Sequence, residues 1–293
     1  DGVILAAGRG TRMSPFSERY PKPLLPILNK PLIHHHIEYF RSLGVRNVFV
    51  VIGHLGHEIA QSLGRGESLG VQIQYVEQSD SLGIAHAVMQ LERLIHRPFA
   101  LLLGDIYFEM APGIDPFASM LKHSAAGFLT VMKEPLTHVI QRNFTVQMDE
   151  EGFVHRVVEK PRFPRTQWKG CGLYAFDVSF FDAVRRTPRT AGRNEYEITD
   201  AIQIFIDDGA RVIADAIVKD DINLTFPYDL LLANLHALRS SGVRNLIAPD
   251  AQVDSSATLD QCVVGSRARV GPSVSLRRTV VFPDSVVTSR EPI

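Results

Sequence analysis

The sequence predicts an α/β protein: a mostly parallel, Rossmann-like sheet with helices on both faces, followed by a small parallel β-helix. Three observations carry this expectation. Short β-branched runs alternate with amphipathic segments over the first hundred residues, an order that builds strand-helix units and a parallel sheet covered on both sides. From about Gly127 to Phe176 strand-like runs follow one another without long helices between them, so a mixed region extends the sheet. After Gly242 apolar residues recur every six positions, the period of a solenoid in which each six-residue side turns one aliphatic inward.

In order, "GVILAA" reads as the first strand and "PLIHHHIEYFRSLG" as a helix, with Pro31 suited to its first turn and Gly44 to the position just past its end. "NVFVVIG" and "VQIQYV" are strands, "IAHAVMQLERLI" is a helix, and "FALLLGD" is a strand that ends in Asp105. "FLTVMK", "FTVQMD", "FVHRVVEKP" and "GLYAF" form the mixed region, and helical patterns return around Ile198 to Asp208 and Pro227 to Ser240. In the solenoid Ile247, Val253 and Leu259 are six apart; after a five-residue step Val264, Val270, Leu276 and Phe282 are again six apart. Four residues after each stands a small or branched side chain: Ala251, Ala257, Val263, Ala268, Val274, Val280 and Val286. The expected division is therefore a large domain over residues 1–241 and the solenoid over 242–293. So few coils call for a cap, a partner chain or further sequence at the last one, which favours a homo-oligomer.

Composition narrows the class. With 293 residues, 45% of them hydrophobic, the chain can bury a sizeable core. Its 31 Lys and Arg nearly cancel its 32 Asp and Glu, so no overall basic field exists to attract nucleic acid or an anionic membrane. Cys171 and Cys262 lie far apart, which fits free thiols in a reducing compartment better than a disulfide framework. No apolar run approaches the roughly 18 residues of a spanning helix, and the N-terminus lacks a signal-peptide pattern. The expectation is a cytoplasmic protein with neither nucleic-acid nor membrane partners. Because it starts at Asp1 directly before a strand, that end is read as processed or trimmed.

The chemistry begins in "GVILAAGRGTRMSPFSERYPKPLLP". A strand that ends in a glycine-rich turn lets backbone N–H groups close on phosphate oxygens, since glycine has no side chain to hold a ligand off. Neither common version of that loop is present. No Lys-Ser/Thr follows Gly10, as a P-loop requires, and Met13 stands where a dinucleotide fingerprint needs its third glycine. Arg9, Arg12 and Lys22 argue instead for a polyphosphate held by charge as well as backbone. Asp105 ends a buried strand of an open α/β sheet, a place from which a carboxylate points into the ligand crevice and can hold a metal; read alone, an Asp there is more often a cap or turn residue. His34, His35 and His36 fan out around a helix by about 100° each and cannot share a metal. Neither cysteine has a histidine close by in sequence, so thiol catalysis has no local support.

Taken together, "LAAGRGTRM" and "PKPLLP" resemble the signature of sugar-1-phosphate nucleotidylyltransferases, G-x-G-T-R-x-x-P…P-K-x-x-x-P. The resemblance continues in order and spacing over nearly all of residues 2–240. It implies nucleotidyl transfer from a nucleoside triphosphate to a sugar 1-phosphate with Mg²⁺ as cofactor, and a short C-terminal left-handed β-helix. By the same resemblance Gly8, Arg9, Gly10 and Thr11 hold the nucleotide, and Arg12 and Lys22 neutralise the reacting phosphates. Gln78 and Gly83 in "YVEQSDSLGIAHA" meet the base; the glutamine amide offers a donor and an acceptor together, which suits the imide edge of uracil or thymine. Glu159 and Lys160 in "VVEKP" take a sugar hydroxyl and the sugar phosphate, Gly170 and Gly172 line the sugar pocket, and Glu195 and Glu197 match an E-x-x-x-T-D segment. Asp105 matches the magnesium-binding aspartate, and Asn223 in "DDINLTFPYDLLLAN" aligns with the second metal position, with Asp220 or Asp221 taking that role if the register slips.

Two departures stand out. Gly83-Ile84 replaces the usual Gly-Thr or Gly-Leu, a mild change. "NFTV" places Phe144 where the family commonly has a glycine, and a ring there would narrow the sugar pocket or redirect the sugar. Uridine or thymidine triphosphate is favoured, with glucose 1-phosphate or its N-acetylamino relative. Mannose-1-phosphate guanylyltransferase and a non-catalytic nucleotide-sugar-binding subunit are the alternatives. Acyl transfer by the solenoid is disfavoured by its few coils and by the lack of a catalytic-looking histidine in residues 244–293.

Overall fold

The apolar run Gly2–Ala6 forms the strand at the middle of a nine-stranded sheet, with Val3 and Ile4 fully buried. Burial on both faces is what a continuous apolar run, rather than an alternating one, requires. In this computed structural model the described residues are 1–288 apart from Ser81, Pro112 and Arg193; the end of the expected solenoid, residues 289–293, lies outside them. Seven of the strands lie in the order Val154–Glu159, Phe144–Met148, Trp168–Phe176, Phe99–Leu103, Gly2–Ala6, Asn47–Ile52, Gln72–Glu77; off this path Gly127–Lys133 pairs with Trp168–Phe176, and Val212–Asp215 pairs with Gly127–Lys133. The last four in that order run parallel to one another. Trp168–Phe176 is antiparallel to Phe99–Leu103 and to Gly127–Lys133, and Val154–Glu159 is antiparallel to Phe144–Met148. The sheet is thus parallel where helical crossovers separate the strands and antiparallel where they are missing, because only a crossover returns the chain to the same end of the sheet.

Helices Leu32–Ser42, Gly56–Leu63, Pro116–His123, Phe180–Arg186, Ile198–Asp207 and Pro227–Ser241 follow the apolar periodicity. Leu32 rather than Pro31 opens its helix; Pro31 pairs with Pro26 in a short hairpin. The segment "IAHAVMQLERLI" is helical only over Ile84–Met89, and single turns continue it, with Leu91 and Ile95 still buried. An aromatic cluster fills the core beneath the antiparallel part. Phe176 stacks on Phe180 with centroids 3.8 Å apart, and Phe205 meets both rings edge-on.

The chain forms two compact units, residues 1–9 with 36–221 and residues 10–35 with 222–293. The boundary expected at 241/242 falls inside the second. Within that unit the hairpin Pro26–Ile27/Lys30–Pro31 turns through Leu28 and Asn29, both at positive φ. Asn234, fully buried in the helix Pro227–Ser241, accepts from the Leu28 N–H at 2.9 Å and donates to the Pro26 carbonyl at 2.9 Å. Asn29 donates to the Val264 carbonyl at 2.9 Å. The hairpin tip is therefore hydrogen-bonded by residues more than 200 positions away.

The C-terminal strands stack in parallel on three faces, as in a parallel β-helix. Leu246–Ile247, Val263–Val264 and Val280–Val281 share one face; Gln252–Val253, Arg269–Val270 and Val286–Val287 the next; Thr258–Asp260 and Ser275–Arg277 the third. Stacked partners are 17 residues apart, so each coil contains one five-residue side. Cys262, Val264, Ala268, Val270, Val274, Leu276 and Val281 form the interior. The expected six-residue run to Phe282 is corrected here: the short side recurs after Leu276, Val281 takes the interior place at 5% exposure, and Phe282 turns outward. Among the described residues no helix is long and apolar enough to cross a membrane.

Candidate functional site

Parallel strands deliver their carboxyl ends to one edge of the sheet, where open α/β proteins bind ligands. In the first unit Gly8 and Arg9 follow the strand Gly2–Ala6, Gln78 follows Gln72–Glu77, and Asp105 follows Phe99–Leu103. The antiparallel strands bring the rest to the same edge. Glu159 ends its strand opposite Phe144, and Lys169, one residue before Gly170, pairs with Thr145. Gly8 and Arg9 are exposed, and Asp105 is half-buried between two strands.

At one end of this edge Gln78 is 8% exposed, and its backbone N–H donates to the Ile52 carbonyl at 2.8 Å. Its side-chain amide lies 3.1 Å from Nδ1 of His86, whose Nε2 lies 3.4 Å from the amide of Gln90. Which ring nitrogen donates and which accepts depends on the tautomer of His86, so the ring and the orientation of the Gln78 amide are coupled. The His86 ring stacks on Tyr196 at 5.9 Å. Tyr196 brackets Gly83: its N–H donates to the Leu82 carbonyl at 2.7 Å and its carbonyl accepts from Ala85 at 3.0 Å. Sequence reading singled out neither His86 nor Tyr196. The available signal was the polar residue one turn into the short helix after Gly83, and the tyrosine between Glu195 and Glu197.

At the other end the Thr199 hydroxyl donates to Glu159 Oε2 at 3.3 Å, and Lys160 Nζ lies 3.4 Å from Glu159 Oε1. Gly170 has a packing reason to be glycine. A Cβ built there would lie 1.9 Å from Cζ of Phe144. That ring is 6% exposed and stacks on Tyr174 at 6.2 Å, so the side chain expected to narrow a sugar pocket is instead part of the core. Next to it Lys169 and Asp221 form a buried ion pair, with side chains 5% and 9% exposed. Burial, the largest influence, would lower the Lys169 pKa, but the charge and hydrogen bond of Asp221, together with Cys171 and Glu134, hold the ammonium above its ordinary value. Burial, then the same carboxylate, push the Cys171 thiol well up, which keeps it protonated and inert. Asp221, one of the alternatives for the second metal position, is thus occupied by Lys169.

In the second unit Gly10 adopts the left-handed conformation, φ 61°, and opens the turn Thr11–Met13. The Lys22 stem lies over it: a Cβ at Gly10 would be 3.0 Å from Lys22 Cε. Lys22 is largely buried, Met13 is fully buried, and Thr11 and Arg12 face solvent. The Arg12 guanidinium sits 5.7 Å over the Phe226 ring. Asn223, at the end of the strand Val218–Asn223, is exposed and accepts from the Thr225 hydroxyl at 3.3 Å. Asp229 orders this turn by accepting from the N–H groups of Thr225 and Phe226 at 2.9 and 2.6 Å.

The structure therefore gathers Gly8, Arg9, Gln78, Gly83, Asp105, Glu159, Lys160 and Gly170 within the first unit, and Gly10, Thr11, Arg12, Lys22 and Asn223 within the second. The consecutive histidines are structural: His36 Nε2 meets the Ile106 carbonyl at 2.8 Å and His35 Nε2 the Ile27 carbonyl at 3.1 Å. No group of three or more His, Cys, Asp or Glu among the described residues is arranged to hold a metal.

Comparison with known proteins shows the family. Residues 1–221 match the family model described as nucleotidyl transferase. The chain is 33% identical over 313 aligned positions to a glucose-1-phosphate thymidylyltransferase of Streptomyces griseus, covering 97% of this chain and 84% of the relative. It is 31% identical to a UTP–glucose-1-phosphate uridylyltransferase, AglF, of Haloferax volcanii, covering 78% of this chain and 92% of the relative. Among solved structures, a UDP-glucose pyrophosphorylase complexed with UDP-glucose superposes with a TM-score of 0.70 at 22% identity, over 82% of this chain and 98% of that one. With a match that spans most of its length, the chain belongs to the nucleotidyl transferase family.

Proposed function

We propose that this protein transfers a nucleotidyl group from a nucleoside triphosphate, UTP or dTTP, to a sugar 1-phosphate, glucose 1-phosphate or its N-acetylamino relative, giving an NDP-sugar and pyrophosphate. The observation that carries the reading is the loop in which the Lys22 stem packs on left-handed Gly10 beside exposed Arg12. It offers two cations and turn N–H groups to a polyanion. An oxygen of the sugar phosphate attacks the α-phosphorus in line and pyrophosphate leaves. The nucleophile is already anionic, so no strong general base is required, and catalysis rests on positioning and charge neutralisation.

In this reading the backbone from Gly8 through Arg9 and Gly10 to Thr11, with Arg12, holds the triphosphate, and Lys22 the reacting phosphates. Gln78 and Gly83 meet the base; Glu159 takes a sugar hydroxyl, Lys160 the sugar phosphate, and Gly170 lines the sugar pocket. Asp105 and Asn223 each offer a hard oxygen, the donor type that Mg²⁺ takes. The ion would take its other ligands from phosphate oxygens and water. Such an ion supplies positive charge to the phosphates. Residues 1–241 carry the reaction and 242–293 are a left-handed hexapeptide solenoid, in a cytoplasmic protein that self-associates.

The test is a matrix of nucleoside triphosphates against sugar 1-phosphates, scored for pyrophosphate and including GTP with mannose 1-phosphate. Release restricted to uridine or thymidine triphosphate with a gluco-configured sugar is expected. Silence across the matrix would reject the reading.

A further inference from the structure

Phe282 departs from the pattern of its own solenoid. Val281 fills the interior of its coil, and the Phe282 ring faces outward onto Phe16, with centroids 4.9 Å apart and planes 13° apart; Tyr20 approaches the same ring at 6.2 Å. Phe16 lies in the turn Phe16–Glu18, between Arg12 and Lys22. The contact therefore joins the solenoid to the middle of the loop that bears both cations, entirely within one unit.

The backbone hydrogen bonds of that loop close single turns. Its regular structure is three turns of three residues, Thr11–Met13, Phe16–Glu18 and Lys22–Leu24, and helices this short are not stable on their own hydrogen bonds. Its shape has to come from packing. Met13 is buried below it, Asn29 ties the following hairpin to the Val264 carbonyl, and Phe16 on Phe282 secures the stretch between. A simpler account is that two aromatic rings merely shed water on each other. It leaves unexplained why the solenoid places its large ring outside, one residue past an interior valine, and there meets the loop.

We propose that Phe282 is a positioning residue: through Phe16 it holds residues 10–22 in the shape that presents Arg12 and Lys22 to the nucleotide phosphates. The solenoid is then a part of the catalytic apparatus, as the support of a loop without a strand of its own. This rests on the roles proposed above for Arg12 and Lys22. Displacing a phosphate-holding cation by about 1 Å is enough to cost on the order of 100-fold in rate, so a lost anchor has a large lever.

The test uses the whole chain and pyrophosphate release. Phe282→Ala and Phe16→Ala are each expected to raise KM for the nucleoside triphosphate about tenfold and to lower kcat several-fold, with KM for the sugar 1-phosphate unchanged. Phe282→Tyr restores the wild-type values, and the double alanine variant is no worse than either single one. Leu276→Ala, which opens the solenoid interior and leaves both rings of the contact in place, lowers the melting temperature and leaves KM for the nucleotide as it was. Should Phe282→Ala fail to fold, Phe16→Ala reads the same contact from the loop side. Wild-type kinetics in both single variants, fully additive losses in the double, or a nucleotide KM raised equally by Leu276→Ala would overturn the proposal. An active wild type with a dead Arg12→Ala and an unaffected Phe282→Ala sinks this inference alone, whereas an inactive wild type sinks the functional reading with it.

Discussion

Gln78, Asp105 and Glu159 each stand at or just past the end of a strand of one hydrogen-bonded sheet. Arg12 and Lys22 stand in a loop of short turns whose shape comes from Met13, Phe282 and the hairpin beyond it. The edge thus places its side chains by local hydrogen bonding and the loop places its own by distant packing. The difference teaches where each half is vulnerable. Functional groups on the edge are disturbed by changes directly beneath them; those on the loop are disturbed from elsewhere in the chain.

The largest expected effect lies under the edge. Lys169→Met leaves the Asp221 carboxylate buried without its partner, a loss of about 3–5 kcal/mol, while Lys169→Met with Asp221→Leu recovers most of it; chemical denaturation measures both. The Lys169 pKa is raised in the folded state. Its contribution is therefore complete below the ordinary lysine value of 10.5 and fades as pH climbs through the raised folded value. The gap between wild type and Lys169→Met should stay constant at neutral pH and narrow only in strong alkali. A gap that narrowed near neutrality would show that the pair does not anchor the edge.

On the loop, Arg12→Ala and Lys22→Ala are each expected to lower turnover by on the order of 10², since each removes charge that stabilises the transition state; the melting temperature changes little for exposed Arg12 and falls modestly for Lys22, whose buried stem is lost. Pyrophosphate release at wild-type rates would break the comparison on the loop side. Returning to the edge, Gly170→Ala drives a Cβ into the Phe144 ring, at a cost of about 1–3 kcal/mol for an overpacked core. Phe144→Leu in the same chain should relieve much of it, and an unchanged melting curve for Gly170→Ala alone would remove the packing explanation of that glycine. The smallest effect is at His86. His86→Leu frees the Gln78 amide to rotate and is expected to raise KM for the preferred nucleotide roughly tenfold, the equivalent of one lost hydrogen bond, without loss of fold; an unaltered nucleotide preference would detach His86 from base recognition.

Much of the edge was legible in the sequence. Apolar runs followed by Gln78, Asp105 and Glu159 mark strand ends, because an element's period and the polar residue that terminates it are local properties. The loop string was legible for the same reason: Gly10, Arg12 and Lys22 lie within a few residues of one another. Its support was not. Phe16 and Phe282 are separated by most of the chain, and a six-residue period read along the solenoid put Phe282 inside. The second short side, which moves Val281 inward, is visible only when successive coils are stacked in register. Likewise a phenylalanine at position 144 reads as an obstruction until its ring is seen to occupy the space that Gly170 leaves empty.

By itself, the sequence determined most of the strands, helices and coils, the change from a parallel to a mixed sheet, and which short strings are the candidates for phosphate and metal binding. Only the tertiary structure decided that residues 10–35 pack with 222–293, that Lys169 is neutralised by Asp221, that His86 orients Gln78, and that Phe282 leaves the solenoid to hold Phe16. Periodicity records how one element meets its surroundings on average, whereas a contact between residues far apart along the chain depends on the packing of every element between them.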